Sequence, residues 1–329
     1  MQHTKFGRTG LRVSKLCLGT MTFGLQCDQA QSNAIMDAAA EGGIDFFDAA
    51  DVYPLGGSAA TVGRTEEIIG DWLQGKRDEF VIATKCFGPM GPKPWNQGMS
   101  RKHIVEAIDG SLRRLKTDYI DVYQLHGFDP GTPIDEALEG LDAVVKAGKA
   151  RYVGVSNWMG FRIARALGRS EARGLVRIDS VQPRYNLLFR TFERDMFPLC
   201  LEEGIAVIPY NPIAGGMLSG KHARGAPTEG TRFTLGSAAS NYQNRYWHDR
   251  EFDTVDELRR LADQAGMSLV TMAVAWTLAN PAITSPIVGA SRPEQLADSL
   301  AAAAKPLPAD LKKTLDEVTL PYRGIDAER

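Results

Sequence analysis

Eight short apolar runs, separated by amphipathic helical stretches, constrain this chain more than any other feature. The runs cover residues 15–19, 45–49, 80–84, 120–125, 152–156, 180–182, 206–210 and 284–288. Helical periodicity falls between them at 29–41, 64–73, 101–115, 134–147, 161–167 and 194–203, and again at 294–304 after the last run. Strands alternating with helices call for a parallel sheet, and eight such strands close a barrel. The expected fold is therefore an α/β (β/α)8 TIM barrel. A doubly wound sheet would need a Gly-rich strand-to-helix turn near the start, and neither Gly42-Gly43 nor Gly56-Gly57 supplies one. Ahead of the first run, residues 5–13 read as two short strands around a Gly-containing turn, an N-terminal hairpin.

A length of 329 residues suits one barrel with insertions, and no Pro/Ser-rich linker or charge block divides it. Residues 1–329 are read as a single barrel domain. Three segments are too long for simple turns: 87–100 after the third strand, 225–250 after the seventh, and the tail 306–329 after the last barrel helix. The first two should form long loops at the mouth of the barrel, where such loops are usually functional.

In a (β/α)8 barrel the C-terminal strand ends open into the active site. The second run ends in Asp48, with Tyr53 just beyond it; the third ends at Lys85, and the fourth leads to His126. Singly, each has a bland reading: a boundary tyrosine, a structural ion pair, a core histidine. Together they place a carboxylate, a phenol, an ammonium and an imidazole at one mouth. That set can move a proton, with the cation able to lower the phenol pKa from its free value of about 10. Asp51 and Asp121 are expected to hydrogen-bond locally, and Tyr123 to pack in the sheet.

Composition excludes several function classes. Thirty-eight basic and 40 acidic residues are interspersed, with a net charge of −2, which argues against a nucleic-acid footprint or a polybasic membrane patch. No apolar run approaches the length of a membrane span, and the N-terminus lacks a signal-peptide core. The four cysteines show no paired spacing and read as reduced thiols of a cytoplasmic protein, with Cys86, beside Lys85, the only one placed to be reactive. None of the five histidines is spaced as a pair, so no metal site is expected.

Ordered motifs give a family resemblance. The segment 7–14 followed by Leu18-Gly19-Thr20-Met21, the stretch from Asp48 to Tyr53, Leu112–Leu115 with Asp118–Tyr123, and 148–157 resemble the aldo-keto reductases. Their style is closer to the bacterial and potassium-channel β-subunit-like branch than to the mammalian aldose reductases. The resemblance implies hydride transfer from a reduced nicotinamide to an aldehyde or ketone. Tyr53 would be the general acid, Lys85 would lower its pKa, Asp48 would orient Lys85, and His126 would position the carbonyl oxygen.

The resemblance also implies a coenzyme site without a Rossmann motif. Gly19, Thr20, Met21 and Asp48 would border it. Ser156, Asn157 and Gln182 would bind the nicotinamide carboxamide, and Tyr210 would stack on the ring. Asn211, Pro212, Ile213, Ala214, Gly215, Leu218, Gly220 and Lys221 would form the pyrophosphate loop, where glycines let backbone N–H groups approach phosphate. Gly289, Ser291, Arg292, Gln295 and Asp298 would hold the adenosine end, with Arg292 on the 2′-phosphate of NADP(H). The Lys-Ser pair and later Arg of the aldose reductases are replaced by Gly289, Ala290 and Gln295. NADP(H) is favoured and NAD(H) is also possible. Trp95, Tyr242 and Trp247, with Tyr53 and His126, are candidates for the substrate pocket. The substrate itself, the reaction direction and the oligomeric state are not legible. Oxidation of a secondary alcohol and a redox-sensing regulatory subunit are the alternative functions.

Overall fold

A computed structural model describes residues 1–324. Strands β1 (His3–Lys5) and β2 (Arg12–Ser14) pair antiparallel around the Gly7 turn. Eight parallel strands follow: β3 (Cys17–Gly19), β4 (Phe46–Asp48), β5 (Val81–Cys86), β6 (Ile120–Leu125), β7 (Ala150–Ser156), β8 (Ser180–Gln182), β9 (Ala206–Val207) and β10 (Ile287–Gly289). They pair in chain order, and β10 returns to β3. The remaining seam closes through a bridge between Val207 and Ile283 and through Ile287 N donating to Pro209 O at 2.8 Å. The fold is the (β/α)8 barrel.

The hairpin plugs the N-terminal end. Phe6 and Val13 join Cys17, Phe46, Ala83, Val122, Ala206 and Ile208 in one buried cluster inside the barrel. Gly7, at φ 59°, lets the turn sit on the chain beyond it: a Cβ there would lie 2.4 Å from Gly204 O. With that end filled by apolar side chains, polar groups are left to the opposite mouth.

Helices α1 (Gln29–Glu41), α2 (Arg64–Trp72), α3 (Arg101–Leu115), α4 (Ile134–Lys146), α5 (Gly160–Arg173) and α6 (Met196–Glu203) cover the first strands, and α10 (Leu296–Ala304) follows β10. Side-chain caps set two of these starts: Asp28 makes a capping box on α1, and Ser100 accepts from His103 N on α3. Between β9 and β10 lie α7 (Ala239–Tyr246), α8 (Asp249–Gln264) and α9 (Leu269–Leu278); α11 (Ala309–Val318) and a 3₁₀ turn at Leu320–Arg323 end the described residues, and 325–329 of the expected tail lie outside them.

Several expected bounds are corrected. The last strand is Ile287–Gly289 rather than 284–288, because Pro286 offers no N–H and Thr284 N turns to Val207 O at 2.8 Å. Regular pairing of the seventh strand ends at Val207, although Tyr210 N still donates to Pro183 O. The 225–250 connection is not a plain loop: it contains α7 and enters α8. All four cysteines are buried, and burial raises the Cys86 thiol far above its ordinary value, so it is not reactive. Among the described residues no helix is long and apolar enough to cross a membrane.

Candidate active site

Parallel register assembles the site. Gly19 lies opposite Asp48, Lys85 opposite Gln124, Gln124 opposite Gly154, and Ser156 opposite Gln182. Strand side chains alternate faces, so these inward positions form one polar layer at the C-terminal mouth. Lys85 and Asp48 are buried, and Lys85 Nζ donates to Asp48 Oδ2 at 2.6 Å and to Ala49 O at 2.7 Å. The other Asp48 oxygen accepts from Gln182 Nε2 at 2.8 Å and Gln124 Nε2 at 3.3 Å. A buried ion pair persists only when its remaining lone pairs and protons are satisfied in this way.

Tyr53 and His126 lie above the pair. Their rings meet edge to face at 5.7 Å, and Lys85 Nζ is 5.0 Å from the Tyr53 ring centroid. Burial disfavours the Lys85 ammonium, but Asp48 and Tyr53 outweigh it and raise the pKa overall. His126 is pushed down to about 3 by burial first and by Lys85 second, so it is a neutral imidazole. The phenol departs from expectation. Lys85 does pull the Tyr53 pKa downward, but burial is the larger effect, and the group is pushed up to about 12.

Asp48, Tyr53 and His126 floor a cavity of about 1330 Å³, with Lys85 buried behind them; it exceeds the roughly 300–1,000 Å³ usual for small-molecule sites. A chain of side chains runs along one wall. Ser156 Oγ donates to Gln182 O, Asn157 Nδ2 donates to His126 O at 2.9 Å, and Tyr210 Oη donates to Asn157 Oδ1 at 2.8 Å. Gly19, Thr20, Met21, Asn211, Pro212, Ile213, Gly215 and Lys221 also line the cavity. Ala214 and Leu218 are buried behind it, and Gly220 packs against Arg259; none of these three lines it. The backbone turns sharply here, with Asn211 at φ 60°, Gly215 at 69° and Gly216 at 106°. A Cβ on Gly216 would meet only His222 Nε2, at 3.6 Å, while its N–H donates to Ile213 O at 2.9 Å.

At the far end, Gly289, Ser291, Arg292, Gln295 and Asp298 line the cavity. Gln295 Oε1 accepts from Ser291 N at 2.8 Å, and Asp298 Oδ1 accepts from Ser268 Oγ at 2.9 Å. Sequence reasoning missed Arg232. It lines the cavity with Nη2 3.8 Å from the Cβ position of Gly289, and its buried Nη1 has no partner. Asn211 Nδ2 is likewise buried and unpartnered. Gln124 was also missed, although it stands two residues before His126 on an inward-facing strand.

Of the substrate candidates, Tyr242 lines the cavity and packs against Gly215, where a Cβ would lie 2.5 Å from its Cδ1. Trp95 and Trp247 do not line it. Trp95 is 48% exposed, and Trp247 donates to Gly225 O and packs on Phe233 and Phe252. The glycine- and proline-rich segment before Trp95 reaches the mouth instead, through Pro89, Met90, Gly91 and Pro92. Asp121 bonds as expected, accepting from Ile82 N and Arg77, and Tyr123 packs with its hydroxyl on Ile104 O. Asp51 does not: both carboxyl oxygens are buried without partners, and burial and Glu66 raise its pKa well above the ordinary range.

The sequence pattern of the Aldo/keto reductase family matches residues 15–319. The chain is 38% identical to the uncharacterized oxidoreductase YrpG of Bacillus subtilis, over 97% of this chain and 96% of that protein. It is 37% identical to a probable voltage-gated potassium channel subunit beta of Arabidopsis thaliana, over 92% and 91%. It is 31% identical to the versiconal hemiacetal acetate reductase of Aspergillus parasiticus, over the full length of both. The chain belongs to the aldo/keto reductase family, whose members are oxidoreductases.

Proposed function

We propose that this aldo/keto reductase reduces an aldehyde or ketone to the alcohol, with NADP(H) as the favoured coenzyme and NAD(H) also accepted. One observation carries the reading: a buried Lys85–Asp48 pair at 2.6 Å beneath Tyr53 and a neutral His126, with Asp48, Tyr53 and His126 facing one cavity. The lining suits a dinucleotide. It combines uncrowded space at Gly216, an unpartnered Asn211 amide, and the cations Lys221, Arg232 and Arg292. Arg232 and Arg292 would grip the 2′-phosphate, and Ser156, Asn157 and Tyr210 would hold the nicotinamide.

A bound reduced nicotinamide supplies the hydride. His126 donates a hydrogen bond to the carbonyl oxygen and fixes it next to Tyr53. Tyr53 then gives its phenolic proton to that oxygen as negative charge develops there. Lys85 steadies the phenolate that remains until solvent reprotonates it. Asp48, held by Gln124 and Gln182, keeps Lys85 charged and in place. A phenol at about 12 is almost wholly protonated at neutral pH, which favours its acting as acid over its acting as base.

Likeness to the Arabidopsis channel subunit supports a second reading, a regulatory part that senses the coenzyme redox state. Retention of all four acid–base residues favours turnover. A panel of aldehydes and ketones, followed by loss of reduced nicotinamide absorbance with each coenzyme in turn, tests the proposal. Absence of turnover on every carbonyl would overturn it.

A further inference from the structure

Carboxylates and cations are unevenly matched around the cavity. Its carboxylates are Asp48, taken by Lys85, and Asp298, taken by Ser268 and Thr271. Its cations besides these are Lys221, Arg232, Arg292 and Arg245. The first three serve the phosphate-bearing coenzyme. Arg245, exposed on α7, is left over, with its Cζ 6.0 Å from the Tyr242 ring centroid. A second unmatched guanidinium stands behind the wall. Arg184 follows β8 and bridges to Tyr210, and its Cζ sits 3.5 Å above the Phe189 ring and 5.8 Å from the Tyr246 ring. Among the described residues, no carboxylate lies within ion-pair distance of either group, although most other arginines here have one.

Both guanidinium groups act on the same point. Arg245 and Arg184 are the charges that favour the ionised Tyr210 hydroxyl, against burial. Burial and then the like charge of Arg245 lower the Arg184 pKa. Tyr210 Oη holds Asn157, and Asn157 holds the His126 carbonyl, so this cationic corner is two hydrogen bonds from the reacting end. Arg184 is partly buried and Arg245 exposed; a partly buried cation without a counter-charge is stabilised by an anion brought near it. A guanidinium fork suits a planar or tetrahedral oxyanion.

We propose that Arg245, backed by Arg184, forms an anion subsite at the mouth, so that the substrate is a carbonyl compound carrying a carboxylate or phosphate group. The inference rests on the carbonyl-reductase reading and narrows its substrate class. Matched pairs of aldehydes test it: para-carboxybenzaldehyde against para-nitrobenzaldehyde, and glyceraldehyde phosphate against glyceraldehyde. The first pair reports carboxylate recognition and the second phosphate. A charge-assisted contact predicts kcat/KM about ten- to a hundred-fold higher for the anionic member of at least one pair. In Arg245→Gln that ratio should collapse toward unity, and in Arg184→Gln it should fall by a smaller factor. The Kd for NADPH should hold in Arg245→Gln. Parity between anion and neutral in the wild type would overturn the proposal, as would a ratio that survives Arg245→Gln. So would a raised NADPH Kd with the ratio intact, which would give Arg245 to the coenzyme. Failure to turn over any of the four aldehydes would instead refute the carbonyl-reductase reading, and this inference with it.

Discussion

Replacing Asp48 with Asn tests the buried pair that underlies the acid–base set. Wild-type Lys85 is fully buried and donates to Asp48 Oδ2 at 2.6 Å, so the carboxylate is its only counter-charge within contact. Removing one partner of such a pair leaves an uncompensated buried charge and costs about 3–5 kcal/mol. At about 2.1 cal/mol/K of unfolding entropy per residue, a chain of 329 residues would lose roughly 4–7 °C in Tm. The pH dependence is more diagnostic. In the wild type the folded Lys85 pKa lies above its unfolded value. Its contribution is therefore fully present below about pH 10.4 and fades only as pH rises through the folded pKa. In Asp48→Asn the largest effect opposing desolvation is gone, Tyr53 alone remains against it, and the folded pKa falls below the unfolded one. The unfolded chain then binds the extra proton, and stability rises with pH by up to about 1.4 kcal/mol per unit between those two values. Urea denaturation at neutral pH and at about pH 9, followed by circular dichroism, measures the effect. A variant as stable as wild type, or one whose deficit does not shrink at high pH, would refute the reasoning. Removing both charges, in Asp48→Asn with Lys85→Met, should recover much of the loss.

Three further outcomes are expected. Tyr53→Phe should cut kcat by about 10²–10⁴-fold while NADPH still binds, by fluorescence titration, because the hydroxyl acts only as charge develops; near-normal turnover would remove Tyr53 as the acid. Carbonyl reduction should show no ionisation between about pH 5 and pH 9, since His126 titrates at about 3 and Tyr53 at about 12. A rate that falls through pH 6–7 with the histidine pKa would mean that His126 is far less desolvated than its burial implies. Arg292→Ala should weaken NADPH by about ten-fold and leave NADH nearly unchanged, and the Arg232→Ala, Arg292→Ala double variant should lose more, because both cations line the adenosine end; equal losses for the two coenzymes would place the 2′-phosphate elsewhere.

The barrel was legible because its strands are buried on both faces and so read as continuous apolar runs, with helical periodicity between them. Bounds failed where backbone donors were missing or diverted. Pro286 shifts the last strand, and hydrogen bonds from Thr284 and Ile287 replace the regular ladder at the closing seam. Asp48, Lys85 and His126 were legible for a related reason: they end strands whose direction in a barrel is fixed. Gln124 could have been found by the same logic, since it shares a strand with His126 and faces Lys85 in register. Arg232 and Arg245 could not. They come from the long connection between β9 and β10, whose path over the mouth is set by packing of Trp247, Phe233, Tyr242 and Gly215, a tertiary arrangement without a periodic signature.

The phenol shows what sequence proximity leaves undecided. A lysine one strand away from Tyr53 suggests a lowered pKa, and the sign of that single interaction is right. Desolvation depends on everything that covers the ring, and a charge interaction with Tyr242, from a helix nearly two hundred residues later in the chain, raises the pKa further. Here burial outweighs the lysine, and the group stays a proton donor across the neutral range. The same burial keeps His126 neutral, so it can position an oxygen but brings no full positive charge to it. Among the described residues, the full positive charge that contacts the Tyr53 ring is Lys85, held by Asp48 against its own desolvation. The chemistry of the site therefore depends on one ion pair, and losing either partner should disturb both the proton donor and the fold beneath it.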